Sequence, residues 1–292
     1  MKILTFDIGG TLIKSGLYSD GKIDFYTEHP YPAIGREGIL EVLSNVFKSF
    51  EGSFDAVGIS TAGLVDSKRG EIIFCSDAIP DYTGTKLKET AEKMCGKKAF
   101  IINDVNAAAL GEGVFGAGVP YSDFICLTYG TSIGGAIVIN GSVYEGKGGY
   151  AGEIGHIVTH INGKKCACGG RGCYCEYASA TALVEKCRLF DNSIENGRDI
   201  FEKIHDENIK NAVDDWIDEI VLGLVTVCHI FDPPAIILGG GIMNEKYITD
   251  SVGEKLKSSV MEGYRNVNVL PALLGNRAGL MGAAAKALRS MK

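Results

Sequence analysis

Hydrophobic positions recur along this chain in two alternating periods, and the alternation predicts an α/β protein. Residues 2–8 (KILTFDI) are rich in β-branched and aromatic residues and break at Gly9-Gly10, and strand-like runs near 12–18 and 22–28 complete an antiparallel meander. From about 37 to 50 the period changes to a helical one, with Ile39, Val42, Leu43, Val46, Phe47 and Phe50 on one face. The strand DAVGIS (55–60), a helix over about 84–95, the strand AFIIN (99–103) and an Ala-rich helix from about 105 continue the series. Near Gly116-Ala117-Gly118 the pattern restarts with the strand pair ICLTYG (125–130) and AIVIN (136–140), followed by VYEG. Helices are predicted near 179–190, 199–206, 210–231, 244–263 and 278–290, with strands AIIL (235–238) and VNVL (267–270) between them. The result is a mixed sheet in each half. Both halves carry a hydrophobic strand running into a Gly/Thr turn, Asp7-Ile8-Gly9-Gly10-Thr11 and then Gly130-Thr131-Ser132-Ile133-Gly134-Gly135, which points to an internal duplication.

Composition narrows the class. The chain has 292 residues, 46% hydrophobic and 22% charged, with seven prolines, which suits one large or two modest well-cored domains. A net charge of −7 argues against a nucleic-acid partner, since such proteins concentrate Lys and Arg. No run approaches the ~18 apolar residues of a membrane span. The first strand is too short and too punctuated by Asp and Gly for a signal peptide. Nine cysteines without a secretory signal point to a reducing, cytoplasmic setting, where a local cysteine cluster suggests metal before disulfide.

Three stretches carry chemistry. In D-I-G-G-T the glycines let the backbone approach a ligand with its N–H groups outward, Thr11 adds a hydroxyl, and Asp7 can hold Mg²⁺ directly or through water. A plain glycine hairpin with a capping Asp would read the same. Gly130-Thr131-Ser132 and Gly239-Gly240-Gly241 are equally ambiguous singly. Three glycine turns that each follow a hydrophobic strand together suggest a nucleotide held by backbone amides, without a Lys-bearing P-loop. In I-N-D-V-N-A-A-A-L-G-E (102–112), Asn103 and Asp104 stand where a strand ends and a helix begins. Asp104 there is either the base that accepts a hydroxyl proton in phosphoryl transfer or a helix N-cap. The third stretch, G-E-I-G-H through C-A-C-G-G-R-G-C-Y-C-E, places His156 ahead of Cys166, Cys168 and Cys173. One imidazole and three thiolates make a closed, structural Zn²⁺ ligand set. Cys175 is a spare thiol, a four-cysteine iron–sulfur cluster on 166, 168, 173 and 175 is the rival, and His160 reads as a surface residue.

Together these residues resemble the ROK family (repressors, open reading frames and sugar kinases), especially its bacterial glucokinase-like members. The likeness runs from Ile3 to about Ala287 and includes D-I-G-G-T, S-T-A-G (60–63), N-D-V-N-A-A-A-L-G-E, G-E-I-G-H with C-x-C-G-x-x-G-C, L-G-G-G-I and A-G-L-M-G-A-A. It implies an actin/hexokinase-like, ribonuclease H-like fold of two domains, 1–117 plus 277–292 and 118–276, with a cleft that closes on a sugar and ATP–Mg²⁺. It also implies a homodimer. By the same resemblance Asn103, Asp104, Glu153 and His156 match positions that hold sugar hydroxyls, with Asp104 as the base, and Gly63 matches a backbone contact to the sugar. His156 would serve twice, one ring nitrogen on zinc and the other on the sugar.

The chain departs from the family pattern at three places. Ser132 stands where the second phosphate turn has glycine. The Asn common in the glucokinases is missing around Ala78-Ile79. Aligning A-S-A-T (178–181) puts Cys175 where the family has a Glu at the anomeric end of the sugar. Glu176 comes one residue late, about 100° of helical rotation away, and is expected to point elsewhere. The loss of that carboxylate suits a sugar substituted at that end, so a β-glucoside kinase stands beside glucose or a related hexose, and S-T-A-G adds an N-acetylmannosamine kinase. Two more remote readings are a sugar-responsive regulator, whose relatives begin with a DNA-binding domain where this chain begins with a strand, and an iron–sulfur ATPase activator. Polyphosphate in place of ATP stays open.

Overall fold

The computed structural model of the protein describes residues 1–31, 35–75 and 79–291. β1 (Ile3–Ile8) is buried almost throughout, as its largely apolar sequence favours for a central strand. β2 (Leu12–Ser19) pairs antiparallel with it and β3 (Lys22–Pro30) pairs antiparallel with β2 at the exposed edge. α1 (Arg36–Ser49) buries Ile39, Val42, Leu43, Val46 and Phe47 on the face foreseen from their spacing. Each such side chain contributes about 1.5–3 kcal/mol on burial. β4 (Ala56–Thr61) returns parallel to β1 and is buried at every position. β5 (Leu64–Asp66) and β6 (Glu71–Phe74) form a small hairpin. α2 (Leu87–Cys95) then leads to β7 (Ala99–Asn103), parallel to β4, and α3 (Asp104–Phe115) follows without a break. The sheet order is β3-β2-β1-β4-β7.

The same plan recurs downstream. β8 (Phe124–Tyr129) pairs antiparallel with β9 (Ile133–Ile139). β10 (Ser142–Val143), the short helix α4 (Cys175–Ala178), α5 (Ala180–Arg188), α6 (Gly197–Glu202) and the long α7 (Glu207–Phe231) come next. β11 (Ala235–Gly239) lies parallel to β8, and after α8 (Lys246–Ser259), β12 (Asn268–Pro271) lies parallel to β11. In both sheets, then, a hairpin is extended by two parallel strands.

Contacts divide the chain into two compact units. The first comprises Met1–Val119, Gly141–Ala151 and Asn276–Lys292, the second Pro120–Asn140 and Gly152–Gly275. The sequence boundaries placed residues 141–151 with the later half. They fall in the first unit, where Ser67 Oγ donates to Glu145 Oε2 at 2.7 Å and Arg289 donates to the Gly141 carbonyl. The closing helix α9 (Ala278–Ser290) packs against α3, β1 and β4 of the first unit.

Two local expectations need correction. The β5–β6 hairpin is absent from the periodicity reading because its strands are too short to show a period. Gly134 and Gly135 belong to β9, opposite Thr128 and Leu127, so the second turn is confined to residues 130–132.

The α3–α9 crossing depends on Gly282, where any Cβ would run into the Ala107 carbonyl oxygen. In an open helix Gly→Ala gains about 1 kcal/mol. Here the sign reverses: Gly282→Ala is expected to destabilise the protein by about 1–3 kcal/mol, as overpacking does. Urea unfolding of the variant checks this, and an unchanged or raised midpoint would contradict it.

Candidate active site and metal centre

In the first unit the chemistry-bearing residues sit at the carboxyl ends of parallel strands. The register sets Asp7 opposite Ser60, and Thr61 opposite Asn103. Ligands of α/β sheets are bound at this edge, because there the chain leaves the sheet with unpaired backbone groups.

Asn103, not Asp104, caps α3. Its Oδ1 accepts from Val105 N at 3.0 Å and Asn106 N at 3.1 Å. Its Nδ2 donates to Asp104 Oδ1 at 2.8 Å and to the Gly63 carbonyl at 3.0 Å. Asp104 Oδ1 also accepts from Val105 N at 2.9 Å, and neither bond to the carboxylate uses Oδ2. Burial pushes the Asp104 carboxyl up to about 6, the neighbouring Asp7 charge adds to the rise, and the two hydrogen bonds oppose it. A carboxylate poised there is matched to proton transfer near neutrality.

Asp7 accepts from Ser60 Oγ at 2.8 Å on Oδ1, and Lys14 Nζ lies 3.7 Å from its Oδ2. A carboxylate has about four lone-pair sites, so capacity remains for a water of a hydrated cation. Next to it, the turn Gly9-Gly10-Thr11 is closed by Gly9 N donating to Leu12 O at 3.1 Å, and Tyr31 donates to the Gly9 carbonyl. Gly10 and Thr11 are exposed. The Gly63 carbonyl accepts from Asn103 Nδ2, which ties the S-T-A-G stretch to the end of β7.

The second unit brings its two glycine turns together. Gly239 pairs with Thr128, so the turns after β8 and β11 are neighbours at one sheet edge. Gly240 has φ 107° and sits against the Tyr129 backbone, a position that only glycine fills. The Gly130 carbonyl accepts from Ala180 N at 3.1 Å at the start of α5, and Gly130 N donates to Ser132 O at 2.9 Å. Beneath the turn, Tyr129 donates to the Tyr174 hydroxyl at 2.8 Å and Tyr174 to Ile220 O at 2.9 Å. Gly130, Thr131, Ser132, Gly240 and Gly241 are exposed.

Also in the second unit, His156, Cys166, Cys168 and Cys173 present ligand atoms all within 4.8 Å of one another. His156 Nδ1 is 3.6 Å from Cys166 Sγ, and Cys168 Sγ is 3.6 Å from Cys173 Sγ. The edges of a tetrahedral N/S₃ zinc site are about 3.5–3.8 Å, so the donor set fits such an ion. Bridges between Val158 and Cys173 and between Lys165 and Arg171 hold the loop, and Gly170 N donates to Cys168 Sγ at 3.4 Å. The other His156 nitrogen, Nε2, lies 3.9 Å from Glu153 Oε2, which leaves that face of the ring toward an exposed carboxylate.

Cys175 stands outside this set. Its Sγ is 3.9 Å from Cys166 Sγ and lies 3.8 Å from Glu176 Oε1. Burial pushes its thiol up to about 12, so it is neutral. Among the described residues the close group of four contains His156 and not Cys175, unlike the arrangement that a four-cysteine cluster needs. Glu176 was expected to point away. Its carboxylate instead folds back beside the Cys175 thiol, because α4 starts at Cys175 and the side chain is long enough to reach over the first turn.

His160 is half-buried, contrary to the surface reading. It stacks on Tyr177 with centroids 3.9 Å apart, and its Nε2 is 3.6 Å from Glu219 Oε1 on α7. Nothing in local sequence spacing signals that brace, because Tyr177 and Glu219 lie far along the chain. The departure at Ala78 lies outside the described residues, while Ile79 is buried. Among the described residues no helix is long and apolar enough to cross a membrane.

Comparison with known proteins accords with this geometry. A profile of the ROK family matches residues 3–290. A glucokinase of Thermotoga maritima is 32% identical over 97% of this chain and 96% of its own length. A β-glucoside kinase of Listeria monocytogenes is 31% identical over 97% of this chain and 96% of its own. A ROK family glucokinase from Streptomyces griseus, solved in complex with glucose and AMPPNP, superposes with a TM-score of 0.85 at 33% identity, covering 97% of this chain and 98% of that one.

Proposed function

Since the chain belongs to the ROK family and is an ATP-dependent sugar kinase, we propose that it phosphorylates a hexose, at the 6-hydroxyl, with Asp104 as general base. The observation that carries this is the division of labour at residues 103 and 104. Asn103 caps the helix, so capping does not account for Asp104, whose carboxyl is tuned to about 6. In the reaction Asp104 takes the hydroxyl proton as the sugar oxygen attacks the γ-phosphorus, and ADP leaves. Gly9, Gly10, Thr11, Gly130, Thr131, Ser132 and Gly239 to Gly241 are assigned to the nucleotide phosphates through backbone N–H groups and hydroxyls. Asp7 would hold the Mg²⁺ of ATP–Mg²⁺ through a water, and that ion offsets phosphate charge. Asn103, Asp104, Glu153 and His156 are assigned to sugar hydroxyls, with Gly63 as a backbone contact to the sugar. The loop ligands are assigned a structural Zn²⁺.

Asp104→Asn keeps the shape and hydrogen bonds of the side chain but takes no proton. Turnover is expected to fall by about 10²–10⁴, with sugar binding nearly intact. In the wild type only the ionised carboxylate is competent, so kcat/KM should fall as pH drops through about 6, toward tenfold per pH unit. ADP release from a hexose panel with ATP–Mg²⁺ measures both. Turnover within a few-fold of wild type sinks the assignment, and a sugar-binding regulator would release no ADP.

Metal analysis of freshly purified reduced protein is expected to give about one zinc per chain. Cys168→Ser should lose the ion and weaken sugar binding, because His156 then loses the anchor that orients its ring. Iron in place of zinc would overturn this.

The sugar itself turns on Cys175 and Glu176. A charged acceptor to the C1 hydroxyl contributes about 1.5–3 kcal/mol, or roughly 10–150-fold in binding. If the Glu176 carboxylate, which lies beside Cys175, fills that role, Glu176→Ala selectively damages phosphorylation of free glucose and spares methyl β-glucoside. If it does not, Glu176→Ala is neutral and Cys175→Glu raises kcat/KM for glucose alone, which points to a β-glucoside as the natural substrate.

A further inference from the structure

Four thiols of the second unit stand in two facing pairs, Cys168 with Cys173 at 3.6 Å and Cys166 with Cys175 at 3.9 Å. Only three of them belong to the close ligand group with His156. The fourth, Cys175, is buried and has no place in the proton transfer or in the ligand group around His156. Cys168 is exposed, whereas Cys166 and Cys173 are buried. One cysteine is therefore open to a small oxidant and each of the four has a partner already in van der Waals range.

We propose that this loop is a reversible thiol-oxidation site, at which a hydroperoxide converts the four cysteines into the bridges Cys168–Cys173 and Cys166–Cys175 and discharges the metal, a switch that rests on the zinc assignment above. The exposed Cys168 sulfur attacks a peroxide oxygen and becomes a sulfenic acid, with water as the first product. Cys173 then attacks that sulfur, an S–S bond forms and the S–O bond breaks, releasing a second water. Each bridge takes two electrons from two cysteines, reduces one peroxide to two waters, and draws protons from solvent where a thiolate had been on the metal. A disulfide needs the sulfurs at about 2.05 Å, so each pair closes by under about 2 Å. With two thiolates gone, the ion keeps only His156 and Cys166 and leaves. Cys166 is then a freed thiol next to Cys175, and a second peroxide closes the second bridge.

This gives Cys175 a role as the resolving thiol. A sulfenic acid without a neighbouring thiol climbs to sulfinic and sulfonic acids, which reductants do not restore. With Cys175 at 3.9 Å, Cys166 is held at the disulfide level instead.

The test uses the zinc-loaded, reduced full chain treated with hydrogen peroxide. Metal release is followed with a chromophoric chelator, bridges are mapped by mass spectrometry of non-reduced peptides, and metal rebinding is measured after dithiothreitol. Wild type is expected to release about one equivalent, to show both bridges, and to rebind zinc nearly fully. Cys175→Ser should also release its zinc, but Cys166 should then carry sulfinic or sulfonic acid, and rebinding should fall several-fold. Absence of a Cys166–Cys175 peptide in oxidised wild type, or recovery of Cys175→Ser equal to wild type, overturns the proposal. The bridge map of the wild type stands even if the variant does not fold. Absence of zinc before oxidation counts against the metal assignment alone, since the bridge map still decides the pairing.

Discussion

Four hydrogen bonds converge on the side chain of Asn103, and the arrangement at the carboxyl edge of the first unit's sheet depends on them. Two amide protons of the first turn of α3 go to its oxygen, while its nitrogen ties down the Gly63 carbonyl and one oxygen of Asp104. A primary amide is the one side-chain group that accepts and donates in this pattern at once. An aspartate in its place would cap the helix but present a second negative charge to Asp104. The result is a carboxylate held in one orientation at the end of a buried strand, with its other oxygen outside the pair of bonds that fix it. Strand order sets the position, the amide sets the angle, and burial sets the proton affinity.

The second unit solves a different problem with similar means. Its glycine turns are exposed, and they are held from behind. The Tyr129–Tyr174–Ile220 chain and the start of α5 fix the turn after β8. The metal loop is likewise held at both ends, by short bridges within it and by His160 against Tyr177 and Glu219. Mobile-looking sequence, rich in glycine and lysine, is thereby given a defined shape by a few polar anchors and one ligand set.

Much of this was legible in the sequence, and the residues show why. β1, β4 and β11 are predominantly apolar and are bounded or punctuated by glycine, so their burial and their ends could be read directly. The ligand spacing from His156 to Cys173 was equally plain. What escaped was whatever depends on partners distant in sequence. Gly134 and Gly135 look like turn residues and are strand residues, because β8 supplies their hydrogen bonds. Asp104 could be read as base or as cap, and the amides of Val105 and Asn106, which go to Asn103, give the cap to its neighbour. Glu176 was turned away by a helical offset that ignores how far a glutamate can reach back.

The placement of α9 has a consequence for how the polypeptide comes into being. This helix fills a face of the first unit's core, against α3 and the central strands, yet it is translated only after every residue of the second unit. A nascent chain therefore carries a first sheet whose five strands are made but whose α9 face is open, with Ile102, Ala107 and Leu110, which pack with Ala285 of α9, uncovered while more than a hundred intervening residues are made. Closing so long a loop is entropically slow, although the added cost rises only with the logarithm of its length. The second unit, contiguous apart from one excursion, can consolidate earlier. Synthesis runs from the amino end, but completion of the core runs the other way, and the interval between the two is the period in which this protein has most need of a chaperone.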